Sequence, residues 1–382
     1  DNCPGYTLSY TISGATVGSG TGVVPPTVFN IGTSTVMYTL TDGVNTVMCS
    51  FTVTVVDDES PVISCPAAVV ANTDAGQCTY AYSPTLDATT ATDNCSVFGD
   101  LMVSYQVENP DNSESGLLMN GASYNFAVGV SQVTYIVEDQ AGNISTCKQQ
   151  ITVSDAQLPQ IDCAIPANPY SNTAGVCGYV AGTEFDPVNV SDNCPEFTYS
   201  HNYGAWSIPT SLAGAEFPVG TTTVVWTVED ASGNIATCAI DIVVVDSELP
   251  VFVNCPDTTF TIGADANCEN GVIWSIPIAE DNCPGVTVAQ TGGPALGTQL
   301  TPGTYTIEYT ATDGAGNTSI CTFTIEVIDD SSPLLVCPES FTIGTDAGVC
   351  SWTSGIGQLN PLLAVDNCPG YTLSYTISGA TV

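Results

Sequence analysis

Cysteine and aspartate are the residues of this chain whose spacing could do chemistry. Seventeen cysteines recur at regular intervals, and the triplet Asp-Asn-Cys ends at Cys95, Cys194, Cys283 and Cys368, with Cys3 as a further copy. Regular cysteines point to disulfides and an oxidising, extracellular compartment. Zinc is disfavoured, because no Cys-x-x-Cys occurs and His201 is the only histidine. The carboxylates gather at three recurrent places: the Asp-Asn-Cys turn, an Asp-x-x-Gly-Asn turn, and a Pro-ended linker. Three sets could offer calcium the hard oxygen ligands it takes: Asp57, Asp58, Asp93 and Asp139; Asp155, Asp192 and Asp230; and Asp246, Asp281 and Asp313. The competing reading is local, since Asp and Asn favour tight turns and cap their own backbone. Catalysis has little to work with. With Lys148 the only basic side chain besides His201, no Ser/His or Cys/His constellation can recur, and the paired carboxylates sit in turns, so the chain reads as a non-enzyme.

The elements that must position these groups are strands. Strict alternation runs through Val36, Tyr38 and Leu40; Val133, Tyr135 and Val137; Val224, Trp226 and Val228; and Ile307, Tyr309 and Ala311. Period-two patterning of β-branched and aromatic residues reads as half-buried strands, and no helical period of useful length appears. Four linkers punctuate the pattern, and their prolines Pro61, Pro159, Pro250 and Pro333 lie 98, 91 and 83 residues apart. Residues 1–17 recur unchanged as residues 366–382, which sets a super-repeat of 365 residues and predicts a window on a longer tandem array. The expected domains are 58–155, 156–246 and 247–329, with the C-terminal part of another at 1–57 and the N-terminal part of another at 330–382. The fold class is all-β: tandem immunoglobulin-like β-sandwich domains forming an elongated filament or stalk.

A formal net charge of −38 with 43% hydrophobic residues argues against disorder, which needs high charge with low hydrophobicity. With one lysine and no arginine the chain has too little basic charge to neutralise phosphates or adhere to anionic membranes, so neither nucleic acid binding nor membrane insertion is expected. No run of eighteen apolar residues occurs.

The run Phe217-Pro218-Val219-Gly220, followed by Glu229-Asp230-Ala231-Ser232-Gly233-Asn234 and Cys238, resembles the hyalin repeat (HYR) module. So do the Pro-x-x-x-Cys-Pro openings and the Asp-Asn turns, although Asp42-Gly43-Val44-Asn45 lacks the Gly before Asn. Composition and repetitiveness are similar to those of giant Bacteroidota cell-surface gliding adhesins. The HYR resemblance implies an extracellular sandwich used for adhesion or spacing. Its partners would be adjacent copies of the repeat and surface polysaccharide or a substratum.

Four cysteines per domain allow three connectivities. In such a sandwich the first and last strands are parallel neighbours, and two-cysteine members of the resembled family keep the pair between them. The resemblance thus favours Cys65–Cys147, Cys163–Cys238 and Cys255–Cys321. The second cysteine then pairs with the third: Cys78–Cys95, Cys177–Cys194, Cys268–Cys283 and Cys350–Cys368. The competing scheme joins first to second and third to fourth. Cys3, Cys49 and Cys337 would find partners only in a neighbouring copy, and the half-domain at 1–57 would be completed by the equivalent of 330–382. Tyr199, Tyr203 and Trp206 near His201 are candidates for sugar stacking, with core packing as the alternative. Asp257-Thr258-Thr259 resembles a Bacteroidota O-glycosylation acceptor, with an ordinary loop as the alternative.

Overall fold

The alternation of residues 129–154 becomes a long antiparallel hairpin. Strand Gly129–Glu138 pairs with Ile144–Ser154, placing Tyr135 opposite Cys147, and pairs on its other side with Met102–Glu108, placing Tyr135 opposite Tyr105. Strand Val69–Asn72 lies parallel to Ile144–Ser154, with Val69 opposite Ile151, and Leu118–Met119 closes the far edge of this five-stranded sheet. Facing residues come from the two-stranded pairs Thr79–Tyr82 with Tyr124–Ala127 and Val62–Ile63 with Ala91–Thr92. Val133, Tyr135, Val137, Ile151, Phe126 and Leu86 fill the core between the layers. Each fully buried aliphatic side chain contributes roughly 1.5 to 3 kcal/mol. The buried Gln149 is satisfied from both ends: its Oε1 accepts from Tyr135 Oη at 2.8 Å and its Nε2 donates to the Ala67 carbonyl at 2.7 Å.

This computed structural model describes residues 5–256 and 258–378, so Cys3 and Asp257 lie outside the described residues. Two compact units divide it: Asp1–Asp162 with Pro187–Ser200 and Trp226–Cys238, and Cys163–Asp186 with His201–Val225 and Ala239–Val382. The division runs through the stretch between the second and third linkers, so each linker stays within one unit.

In the second unit, Gly303–Thr312 pairs with Thr318–Ile328 and Thr287–Gly292, and Phe260–Gly263 runs parallel to Thr318–Ile328. Ile307, Tyr309, Phe323 and Ile325 form its core. The same parallel step recurs between Tyr170–Ser171 and the end of Ile235–Val245. Residues 5–57 differ, holding one sheet of four strands, Gly18–Thr21, Thr7–Gly14, Gly32–Thr41 and Thr46–Val55, in that order. Beyond the fourth linker only Leu334–Val336 and Leu363–Val365 form strands among the described residues. Among the described residues the sole helix is the short 3-10 turn Phe98–Asp100, and no helix is long and apolar enough to cross a membrane.

Candidate functional site

Two covalent links and one group of carboxylates recur around the linkers. The first link joins first to fourth cysteine: Cys65 is bonded to Cys147 with Cα atoms 5.8 Å apart, and Cys255 to Cys321 at 5.7 Å. Cys163 and Cys238 are each part of a disulfide.

The second link corrects the sequence expectation. Cys78 is bonded to Cys194, Cys177 to Cys283 and Cys268 to Cys368, so each second cysteine reaches past its own Asp-Asn-Cys turn to the next one along the chain. The pairs Cys78–Cys95, Cys177–Cys194, Cys268–Cys283 and Cys350–Cys368 therefore do not form, and Cys95 and Cys350 carry exposed free thiols. Burial, then the neighbouring Asp57 and Asp93 carboxylates, push the Cys95 thiol up.

The physical reason lies in the turn itself. Asn193 Nδ2 donates to the Gln77 carbonyl at 3.0 Å, Asn282 Nδ2 to that of Val176 at 3.0 Å, and Asn367 Nδ2 to that of Asp265 at 2.9 Å. Each of these three Asp-Asn-Cys turns thus hangs on the turn that precedes the second cysteine of the previous segment. The linkers hold that same turn. Gly76 N donates to Gln157 Oε1 at 2.8 Å, and Gly175 N to the Glu248 carboxylate at 3.0 to 3.1 Å. Docked this way, the two cysteines stand 4.7 to 4.8 Å apart at Cα, within the range for a disulfide.

The carboxylates divide into two kinds. Asp139, Asp230 and Asp313 close their own turns: Asp139 Oδ1 accepts from Ala141 N and Asn143 N, both at 2.8 Å, and Oδ2 from Asn143 Nδ2 at 2.8 Å. The turn needs glycine, with Gly142, Gly233 and Gly316 at φ of +93°, +86° and +97°. Burial raises these three carboxyls, but the bonds from the turn asparagines outweigh it and hold them below the usual carboxylate range. The asparagines also reach the linkers: Asn143, Asn234 and Asn317 each donate from Nδ2 to the carbonyl of Asp57, Asp155 and Asp246, all at 3.2 Å. The turn at Asp42 is one residue shorter, and there Gly43 takes the positive φ of +92°.

The other kind keeps an oxygen without a donor. Asp155 is 6% exposed; its Oδ1 accepts from Thr73 Oγ1, Gln157 N and Asn193 Nδ2 at 3.0 to 3.2 Å, while its Oδ2 is buried with no partner. Asp192 accepts from Cys194 N at 2.7 Å with Oδ2, and its Oδ1 is likewise orphaned, as is Asn193 Oδ1. The same triplet recurs with Asp246 Oδ2, Asp281 Oδ2 and Asn282 Oδ1. Asp93 Oδ1 and Asn367 Oδ1 are also buried and unpartnered. Ligand atoms lie within 4.8 Å of one another in Asp57, Asp93 and Asp139; in Asp155, Asp192 and Cys194; and in Asp246, Asp281 and Cys283. The cysteines of these groups are disulfide-bonded and offer no thiolate. Asp58 is exposed and joins no group, and Asp230 and Asp313, whose oxygens serve their own turns, are absent from theirs, whereas Asp139 makes the same turn bonds and still joins Asp57 and Asp93. In the sequence the Asn of Asp-Asn-Cys reads only as a turn former, and nothing there marks its side-chain oxygen as a ligand.

An anionic oxygen buried without a donor is costly unless a cation neutralises it. Carboxylate and amide oxygens are hard ligands of the kind calcium takes, and the three of each triplet would be part of the six to eight it needs.

Two of the three aromatic candidates, Tyr199 and Tyr203, are engaged in packing, while Trp206 has a buried Nε1 with no hydrogen-bond partner. Tyr199 tilts against Trp226 at 6.3 Å between ring centroids, and Tyr203 stacks on Phe217 at 4.7 Å.

Fold and junction chemistry together define a protein of tandem immunoglobulin-like sandwiches. The HYR domain family matches residues 56–153, 155–244 and 245–327, most of the chain, and the chain belongs to that family. It is 30% identical over 321 residues to hyalin of Strongylocentrotus purpuratus, covering 81% of this chain and 24% of that protein. Against hyalin of Lytechinus variegatus it is 26% identical, covering 88% of this chain and 62% of the relative. The chain thus spans less than two thirds of either relative's length. Among solved structures, Drosophila N-cadherin EC1-4 is 16% identical, covering 86% of this chain and 93% of that one, with a TM-score of 0.27.

Proposed function

We propose that this chain is a structural repeat region of an extracellular cell-surface adhesin, in which successive modules are fixed to one another by disulfides and by calcium. The observation that carries the reading is the junction disulfide set, Cys78–Cys194, Cys177–Cys283 and Cys268–Cys368. It gives a short covalent path: from residue 78 to residue 368 only two backbone stretches are needed, Cys177 to Cys194 and Cys268 to Cys283, 17 and 15 residues apart. Such a path carries tension through three disulfides and two short backbone stretches, so that only the strands within those stretches are loaded. Domain boundaries follow the linkers, at 57/58, 155/156, 246/247 and 329/330. Calcium would sit between linker and Asp-Asn-Cys turn, held by Asp155, Asp192 and Asn193 and by Asp246, Asp281 and Asn282, with Asp57 and Asp93 at the first junction. The likeness to hyalins supports the extracellular adhesion role. Surface attachment or gliding motility on polysaccharide or a substratum is the finer form of that role, carried by composition and repetitiveness.

A second reading is a passive, disulfide-stiffened spacer with the binding tip elsewhere. The packing of Tyr199 and Tyr203 against core aromatics favours it, because it withdraws them from sugar stacking. Attachment of beads carrying the full chain, under flow, to bare and polysaccharide-coated surfaces separates the two. Retention above that of uncoated beads supports adhesion, and no retention on any surface assigns the spacer.

A further inference from the structure

The turn after strand Val69–Asn72 holds a hydroxyl, a carboxylate and a side-chain amide in mutual contact. The parallel register with Ile144–Ser154 sets them there: Asn72 lies opposite Ser154, so the next residues, Thr73 and Asp155, leave the sheet side by side. Thr73 is 9% exposed and Asp155 6%. Thr73 Oγ1 donates to Asp155 Oδ1 at 3.0 Å. Gln157 turns back over that hydroxyl, and its Nε2 donates to Thr73 Oγ1 and to the Asp74 carbonyl, both at 3.0 Å. Its Oε1 accepts from Gly76 N at 2.8 Å. The backbone N–H of Gln157 donates to Asp155 Oδ1 at 3.1 Å, which closes the ring of contacts.

Each contact has a counterpart in acyl transfer. A hydroxyl bonded to a carboxylate is a nucleophile beside its base. An amide whose oxygen faces a backbone N–H is an acyl carbon with a donor placed where negative charge develops. Both groups are fixed by one fold, so their encounter costs no translational entropy. The three residues occur together in one module only. At the matching positions the next module has Asn172, Asp246 and Glu248, and the one after it Ala264, Asp329 and Ser331. Asn172 and Ala264 offer no hydroxyl, and Glu248 and Ser331 no side-chain amide.

We infer that Thr73 and Gln157 form an intramolecular ester. Thr73 Oγ1 attacks Gln157 Cδ as the amide turns about its Cγ–Cδ bond to present the carbonyl face. The hydroxyl proton passes by way of Asp155 Oδ1 to Nε2. The Oγ1–Cδ bond forms, the Cδ–Nε2 bond breaks, and Nε2 leaves as ammonia. No oxidant, cofactor or second chain is needed. Ammonia takes up a proton in neutral water and diffuses away, which draws the exchange forward, and the burial of Thr73 shelters the ester from hydrolysis. The bond spans 84 residues, so load along the chain would cross from the end of strand Val69–Asn72 to the linker by the ester, leaving the residues between unloaded. The reaction uses Oδ1 of Asp155, not the Oδ2 offered to calcium, and it needs no disulfide. Its failure therefore leaves the proposed function intact, and failure of that reading leaves the ester.

The experiment follows the mass of the full chain, held at neutral pH with its disulfides formed and then reduced with a phosphine. The expected mass is one ammonia below that of the sequence. Digestion by an Asp- or Glu-specific protease should recover the peptide of Thr73 joined to the peptide of Gln157, and mild alkali should part the two and leave glutamate at position 157. Thr73→Val and Gln157→Met should each keep the full mass, while Thr73→Ser, which retains a hydroxyl, should lose ammonia again. A chain that keeps its full mass, a loss of ammonia located only at other residues, or a loss that persists in Thr73→Val would overturn the inference.

Discussion

Asn193 donates its side-chain amide to the carbonyl of Gln77, 3.0 Å away and 116 residues earlier in the chain. Each of these residues is adjacent to one cysteine of the Cys78–Cys194 bond, so a hydrogen bond and a disulfide hold the same two turns together. The carboxylate of Asp155, beside them, accepts from the same Asn193 at 3.2 Å. A junction built this way makes the linker part of the folded structure.

Loss of this link should be felt as a loss of fold stability. Replacement of Cys78 and Cys194 together by serine should lower the free energy of unfolding by roughly 2 to 5 kcal/mol, the range for native disulfides. Denaturant titration of the oxidised chain, followed by Trp fluorescence, reads the change. An unchanged midpoint would mean that the bond contributes nothing to the native state.

Cation binding at the orphaned oxygens should raise the melting temperature. With a dissociation constant in the submillimolar to millimolar range of extracellular modules, calcium at 10 to 100 times that constant stabilises by about 1.4 to 2.7 kcal/mol per site. Asp155→Asn should reduce the calcium-dependent rise, and calorimetry in calcium and in chelator measures both. Identical melts in the two buffers would remove calcium from the junction.

The alternation of Val133, Tyr135 and Val137 is a direct consequence of strand geometry, so the buried face was readable from period two. The closing role of Asp139 and Asn143 was readable too, because Asp, Gly and Asn at those offsets leave few turn geometries. Cys78–Cys194 was not. In a tandem array the third cysteine recurs in every segment, 17 residues after Cys78 at Cys95 and 116 residues after it at Cys194. Loop closure grows only with the logarithm of loop length, so it favours the nearer partner by about 1.7 kcal/mol. Docking of the Asn193 turn on Gln77 overrides that margin, and docking is tertiary. Asp58, next to Asp57, carried the same carboxylate signal, but it faces solvent.

Acid should weaken the Asp-x-x-Gly-Asn turns. The folded carboxyls of Asp139, Asp230 and Asp313 lie below the value of an unfolded aspartate, about 3.9. Their contribution is therefore complete above about pH 4 and is lost as pH falls through the folded values. Melting curves from pH 6 to pH 2 should fall most steeply below pH 4, and Asp139→Asn should flatten that fall. A steep fall already between pH 6 and pH 5 would point to other groups.

Gly233→Ala isolates backbone strain in one of these turns. Gly233 sits at φ +86° with open space around a built Cβ, so the substitution adds no clash and imposes only the left-handed conformation. The expected loss is about 1 to 2 kcal/mol, read by denaturant titration. A neutral substitution would mean that the turn relaxes.

The partner that Cys78 takes decides whether successive modules are covalently joined. Digestion of the oxidised chain by an Asp- or Glu-specific protease, with mass spectrometry under non-reducing conditions, answers this directly. Recovery of a peptide linking Cys78 to Cys194 is the predicted result. A peptide linking Cys78 to Cys95 would contradict it, returning each disulfide to its own module and leaving the junctions without a covalent bond beyond the backbone.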